Sequence, residues 1–190
     1  MGRIINSTFV SLDGVINHME AWHFAYTDDE AMQIATGQLL ASDALLMGRK
    51  TDEVYATSCP ERAGDCADKI NSMRKYVAST TLHEADWTNT TVLDGDLVAE
   101  VGRLKAEAGG DILMHGFGLV ATTLLKHDLL DELHLWVQPA FAGVGNTNDM
   151  LFTEGNNARL DLLATRPLDS GVVILSYRPA GTEPTAPPGD

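Results

Sequence analysis

Two short runs of unbroken apolar residues, Ala44-Leu-Leu-Met47 and Ile112-Leu-Met114, limit most what this chain can fold into. A strand that is apolar at every position offers no face to water. It must lie in a sheet covered on both sides, which is the situation of parallel strands with crossover helices. A glycine follows each run closely, at 48 and 116, and helical patterning comes next, over 51–56 and 119–127. Asp96 to Ala108 is amphipathic, with Leu97, Val101 and Leu104 on one face and Gly109-Gly110 at its end. Thr27-Asp-Asp-Glu30 opens a further helix to about residue 41, with Thr27 as its N-cap. Residues 3–10, 75–78 and 91–93 read as strands, and 57–72 as an irregular polar connection. The segments at 133–137, 160–165 and 172–177 follow one another with no helix between them. The sheet therefore ends in antiparallel pairing. The predicted class is α/β: a mainly parallel central sheet with helices on both faces.

The 190 residues suit one domain, since single domains commonly run to roughly 100–200. The domain is expected over 1–178, with the Pro-rich stretch 179–190 as a disordered tail. Thirteen Lys plus Arg against 27 Asp plus Glu give a net charge of −14. That balance disfavours a nucleic-acid partner, which calls for a basic stripe, and an anionic membrane surface. No signal-peptide pattern is visible, and no apolar run reaches the roughly 18 residues of a membrane span. Cys59 and Cys66 match no zinc spacing and read as two free surface thiols in a reducing, cytoplasmic setting.

Parallel sheets bind ligands beyond the carboxyl ends of their strands. Gly48-Arg-Lys-Thr51 supplies a sharp turn, two cations and a hydroxyl at a helix start, the parts that hold a phosphate. Ser79-Thr-Thr81 offers three hydroxyls at the next strand end. Gly116-Phe-Gly118 leads through Leu119 and Val120 into a helix and permits close approach of a pyrophosphate. Each alone reads better as an ordinary turn with solvated side chains; their agreement in one sheet outweighs any one of them.

In this order the segments Ser11-Leu-Asp-Gly14, Asp43 to Thr51, Lys75 to Ser79, Gly110 to Gly118 and Leu130 to Leu135 resemble the dihydrofolate-reductase-like superfamily. The likeness is specifically to the reductase domain at the C-terminus of riboflavin-biosynthesis deaminase-reductases and to its stand-alone relatives. It covers residues 3–178 and implies a three-layer dihydrofolate-reductase-like fold, often dimeric. It also implies NADPH as cofactor, no metal, and reduction of a small C=N or C=O group. By the same resemblance Gly48, Arg49, Lys50 and Thr51 hold the cofactor's phosphates, with the basic pair near the adenosine 2′-phosphate. Ser79, Thr80 and Thr81 line the adenosine side. Gly116, Phe117, Gly118, Leu119 and Val120 lie under the pyrophosphate, and Ser11 through Ile16 pass the nicotinamide. The chain departs from its relatives at Asp52, where they carry an aromatic residue and where a carboxylate would compete with phosphate for the helix start. It departs again at Thr80, where many carry Arg. The second change weakens the preference for NADPH over NADH. The segment after Pro139 also runs on differently, as Asn146 to Met150.

Hydride transfer needs positioning and exclusion of water more than reactive side chains. Asp28 is the candidate catalytic acid, with helix capping as its competing explanation. Asp13 is a candidate substrate ligand or a turn support. Trp22 and Phe24, in a cluster with His23 and Tyr26, are candidates to stack on a planar substrate, or to form a lid or dimer contact. His115 reads as a hydrogen-bonded core histidine. Two classes follow: a pyridine-nucleotide-dependent reductase of a small heterocyclic substrate, and a non-catalytic nucleotide-binding or regulatory homodimer of the same fold.

Overall fold

The computed structural model describes residues 2–151 and 157–180. In chain order the elements are β1 (Ile4–Val10), α1 (Asp29–Ala41), β2 (Ala44–Gly48), α2 (Arg49–Ser58), α3 (Asp65–Ser72), β3 (Arg74–Ala78) and β4 (Thr90–Leu93). Then come α4 (Leu97–Glu107), β5 (Ile112–His115), α5 (Leu119–Lys126), β6 (Glu132–Val137), β7 (Leu160–Pro167) and β8 (Val173–Pro179). The eight strands form one sheet in the order β4-β3-β2-β5-β1-β6-β8-β7. Pairing is parallel from β4 across to β6 and antiparallel at β6-β8 and β8-β7. No described helix is long and apolar enough to cross a membrane.

The apolar runs divide their side chains between two cores, as strand alternation requires. Ile4, Leu46, Ile112 and Met114 pack with Val101 of α4 and with Ala121 and Leu124 of α5. Leu45, Met47 and Leu113 turn the other way, towards Leu39 of α1 and Ile70 of α3. Leu45, Leu46 and Met47 have no exposed surface at all, which is why that stretch has no polar alternation to read.

The structure corrects several boundaries. Asp28, not Thr27, caps α1, its Oδ1 accepting from Ala31 N at 2.8 Å. The helix over 51–56 begins earlier, at Arg49, and runs to Ser58. The stretch 57–72, expected to be irregular, contains α3. Its Ala67 and Ile70, three apart, are the buried face. Lys75 explains how so polar a segment holds a helix. It is fully buried, and its Nζ donates to the carbonyls of Ile70, Asn71 and Met73 at 3.0, 3.1 and 3.0 Å. The same ammonium lies 4.4 Å from the Trp87 ring centroid. A cation at a helix C-terminus meets the orphan carbonyls and the negative end of the dipole. Cys59 is buried in that core and only Cys66 is exposed, so the pair is not two surface thiols; both are free. β8 includes Pro179, which pairs with Leu160, one residue past the expected domain edge. The rest of the expected tail, residues 181–190, lies outside the described residues.

The starting ends of the parallel strands are tied by charge. Arg3 pairs with Asp111 and Glu132, each at 2.5 Å. Buried Lys105 donates to Asp131 Oδ2 at 2.5 Å and to the Leu129 carbonyl at 2.9 Å. The same Asp131 oxygen accepts from Ile4 N at 2.7 Å.

Candidate functional site

At the opposite ends of the strands, the order β3-β2-β5 brings the three expected phosphate junctions side by side. Gly48 is the N-cap of α2 and Gly118 the N-cap of α5. Neither has a side chain with which to satisfy the first N–H groups of its helix. The two turns touch. A β-carbon at Gly48 would sit 3.5 Å from Val120 Cγ2, and one at Gly116 would sit 3.5 Å from Thr51 Oγ1. Gly116 has φ +77°, a left-handed backbone that favours glycine. Its carbonyl is fixed from below by buried Asn6, whose Nδ2 donates to it at 2.7 Å.

Arg49 Nη1 donates to Thr81 Oγ1 at 2.8 Å, which joins the first junction to the third-strand loop. Its Nε also meets Glu53 at 3.2 Å. Ser79 Oγ accepts from the backbone N–H groups of Thr81 and Leu82 at 3.2 and 3.0 Å, so this hydroxyl shapes the loop. Lys50, Thr80 and Leu119 are exposed, and Phe117 is half-buried against the α4–α5 core. Asp52 does not compete for the helix start. It is buried, and desolvation by that burial raises its pKa; Lys75 opposes the shift.

The loop from Ser11 to Ile16 is clasped to the segment after β6. Asp13 accepts from Ser11 Oγ at 2.5 Å, Ala142 N at 2.9 Å and Gly143 N at 3.1 Å. These donors, the Ser11 hydroxyl first, pull its pKa down to about 2. Its carboxylate is thus engaged within the protein and acts as a clasp, where a substrate ligand had been the alternative. Ile16, itself buried, donates its N–H to the Asp149 carbonyl at 2.8 Å, and Leu151 N reaches the Gly14 carbonyl at 2.7 Å. Asn146 and Asp149 form a reciprocal capping box that shapes the divergent segment.

The aromatic cluster separates into inner and outer members. Trp22 is buried, with its indole N–H donating to the Asn17 carbonyl at 2.8 Å, so it is no free stacking plate. His23 is buried against Phe9, with ring centroids 4.1 Å apart. Phe24 and Phe141 are 67% and 76% exposed. Together with Ala21, Tyr26 and the edge of Trp22 they line a shallow hollow of about 180 Å³. Asp28 is half-buried and caps α1, so capping accounts for it.

Sequence reasoning missed Tyr55. One helical turn beyond Thr51, it places its hydroxyl 2.8 Å from His115 Nδ1. The signal was the four-residue spacing, which puts Thr51 and Tyr55 on one face of α2, towards the end of β5. Burial pushes the His115 pKa down to about 4 and the Tyr55 pKa up. Both are neutral at pH 7.

The family model described as "RibD C-terminal domain" matches residues 3–174. The "Uncharacterized protein YyaP" of Bacillus subtilis (strain 168) is 29% identical over 180 residues, covering 92% of this chain and 94% of that protein. Among solved structures, a putative riboflavin biosynthesis protein from Shewanella sp. PV-4 superposes with a TM-score of 0.73 at 22% identity. That match covers 95% of this chain and all of the other. Dihydrofolate reductase from Enterococcus faecalis, solved with NADP(H), gives a TM-score of 0.65 at 15% identity over 95% and 98% of the two chains. The chain has the dihydrofolate-reductase fold and belongs to the RibD C-terminal domain family of reductases.

Proposed function

We propose that this chain is an NADPH-dependent reductase that transfers hydride to a C=N or C=O group of a small heterocyclic substrate. The observation that carries the reading is the contact of two glycine-capped helix starts, at Gly48 and Gly118, beside Arg49, Lys50 and Thr51. Free N–H groups, two cations and hydroxyls in one place are the donor set that a dinucleotide's phosphates need. The residues present therefore fit the cofactor. When bound, it supplies the hydride.

The chain's own part is to hold and to shelter. The first turns of α2 and α5, with Arg49, Lys50 and Thr51, would bind the phosphates. Ser79, Thr80 and Thr81 would border the adenosine. The clasped loop through Ile16 would border the nicotinamide, and its internal hydrogen bonds keep that border fixed without the ligand. Phe24 and Phe141 supply an apolar cover that keeps water from the reacting ring. The reading includes a homodimer in the cytoplasm.

Titration of the protein with NADPH, followed by fluorescence or calorimetry, is expected to saturate near micromolar concentration, about −8 kcal/mol. Oxidation of NADPH against a panel of heterocycles would then identify the substrate. Absence of binding by both NADPH and NADH at millimolar concentration would overturn the reading. Binding without oxidation across the panel would favour a nucleotide-binding homodimer.

A further inference from the structure

The Tyr55–His115 pair has a feature that core packing does not require. Tyr55 is half-buried, and its hydroxyl has one partner among the described residues, His115 Nδ1 at 2.8 Å. A phenol with its pKa raised by burial keeps its proton, and that proton has to be donated. Nδ1 is therefore the acceptor, and the neutral imidazole carries its own proton on Nε2. Nε2–H has no partner among the described residues. Nor is His115 sealed in the core as Leu113 is.

The face of the sheet on which His115 lies follows from strand alternation. Leu113 belongs to the layer under α1 and α3, while Met114 faces α4 and α5. His115, two residues after Leu113, lies on the α1 side. Its register partner on β1 is Ser7, whose hydroxyl reaches Gln38 of α1 at 3.0 Å. Tyr55 comes from α2 on the other flank. His115 thus sits at the carboxyl end of the sheet, on the strip between α1 and α2. The glycine turn at 116–118, one residue further, leads into α5 on the opposite face.

We propose that His115 is a substrate-recognition residue whose Nε2–H donates a hydrogen bond to a carbonyl oxygen or ring nitrogen of the small molecule bound between α1 and α2, with Tyr55 as the positioning residue that fixes this tautomer. The proposal rests on the reductase reading and names what that site recognises: a planar ring with an acceptor at its edge. A permanently neutral donor suits a neutral acceptor. It leaves the anionic cofactor to the cations and helix starts. A site built to donate to an acceptor rejects the ring that lacks one, because the donor is then left unpaired.

The test uses the full chain with its histidines labelled with ¹⁵N, and two ring pairs as probes, each a carbonyl ring against one with no acceptor: 2-pyridone against benzene, and 2-quinolone against naphthalene. NMR of the free protein is expected to show His115 as the Nε2–H tautomer, and Tyr55→Phe to mix the two tautomers. In protein saturated with NADPH, 2-pyridone or 2-quinolone should bind more tightly than its acceptor-free partner and shift the Nε2–H resonance. His115→Phe should lower that affinity about tenfold, and His115→Gln, which keeps a donor, should restore part of it. NADPH affinity should hold in all three variants. An Nδ1–H tautomer in the unmodified chain, binding of the carbonyl rings by His115→Phe as tightly as by the unmodified chain, or no binding of either carbonyl ring overturns the proposal. Failure of NADPH to bind the unmodified chain overturns the reductase reading, and the same titration series separates the two results.

Discussion

The two ends of the parallel strands are built on opposite principles. At the starting end, Arg3, Lys105, Asp111, Asp131 and Glu132 answer one another, and Asp131 also takes the first backbone N–H of β1. At the finishing end, α2 and α5 begin at glycines that cap nothing. The contrast is not one of composition, since α1 and α4 are properly capped by Asp28 and Asp96. It shows where the molecule satisfies its own polar groups and where, on the proposed reading, it leaves them for the cofactor. At the finishing end the Asp13 clasp joins the Asp28 and Asp96 caps as self-satisfied groups, so among the described helices that directly follow a parallel strand, those that start open are α2 and α5.

The largest effect is expected at the closed end. Asp131→Ala leaves buried Lys105 without its carboxylate and Ile4 N without its acceptor. A loss of about 3 kcal/mol in denaturant unfolding follows, because removing the half-buried carboxylate strands the buried ammonium. NADPH affinity, measured under native conditions, should not move. If affinity falls together with stability, the two ends are not independent and the contrast breaks.

Arg49→Ala probes the open end. Loss of a charge-assisted contact to a 2′-phosphate costs roughly 1.5–3 kcal/mol, so NADPH should weaken on the order of 10- to 100-fold more than NADH. Equal losses would assign Arg49 to the pyrophosphate. Because Arg49 already holds Thr81 and Glu53, Glu53→Gln is a useful companion that should change the discrimination little.

Gly118→Asp sharpens the contrast by making the open end resemble the closed one. A β-carbon there meets nothing within 4 Å, and the backbone is extended. The new carboxylate should cap α5 and raise stability by about 0.5 kcal/mol. It should also weaken NADPH by at least about tenfold, through lost donors and charge repulsion. Opposite signs in the two assays are the point; a gain or loss in both would deny that these N–H groups are kept for an anion.

The smallest effect is a change of slope with pH. Asp13, held down to about 2, contributes stability above its ordinary value near 3.8. That contribution fades as pH falls from there through about 2, since the unfolded chain takes up the proton first. Asp13→Asn should flatten this part of the acid unfolding curve. An unaltered curve would show that the clasp does not depend on the carboxylate charge.

How much of this was legible depended on whether the signal was local. The continuous apolar strands and the glycine turns announce themselves within a few residues, and their junctions could be read as phosphate sites. Asp28 was visible, but choosing between it and Thr27 as cap required the backbone geometry. α3 was hidden because its stabilising cation, Lys75, lies beyond its own end and is buried for reasons of three-dimensional packing. Asp52 misled, because sequence shows a carboxylate at a helix start without showing which way it points. Trp22 and Phe24 are two residues apart and look alike in sequence, yet one is walled in and the other open. The Tyr55–His115 contact joins positions 60 apart; the local spacing puts Tyr55 on the face of Thr51 but does not give its partner.

The central position of β1 has a consequence for how the chain is made. Its first residues lie between partners at Ile112 and Glu132, so the strand synthesised first is among the last to find both neighbours. At roughly 10 residues per second, more than ten seconds pass between translation of β1 and emergence of β6. Through that interval Ile4 to Val10 is an unpaired, largely apolar segment, open on both edges to any other nascent strand. The pairing of β2, β3 and β4 requires only nearby sequence and can proceed meanwhile. Translation speed across residues 80–130, and chaperone access to the first ten residues, should therefore govern the yield of folded protein more strongly than the final stability does.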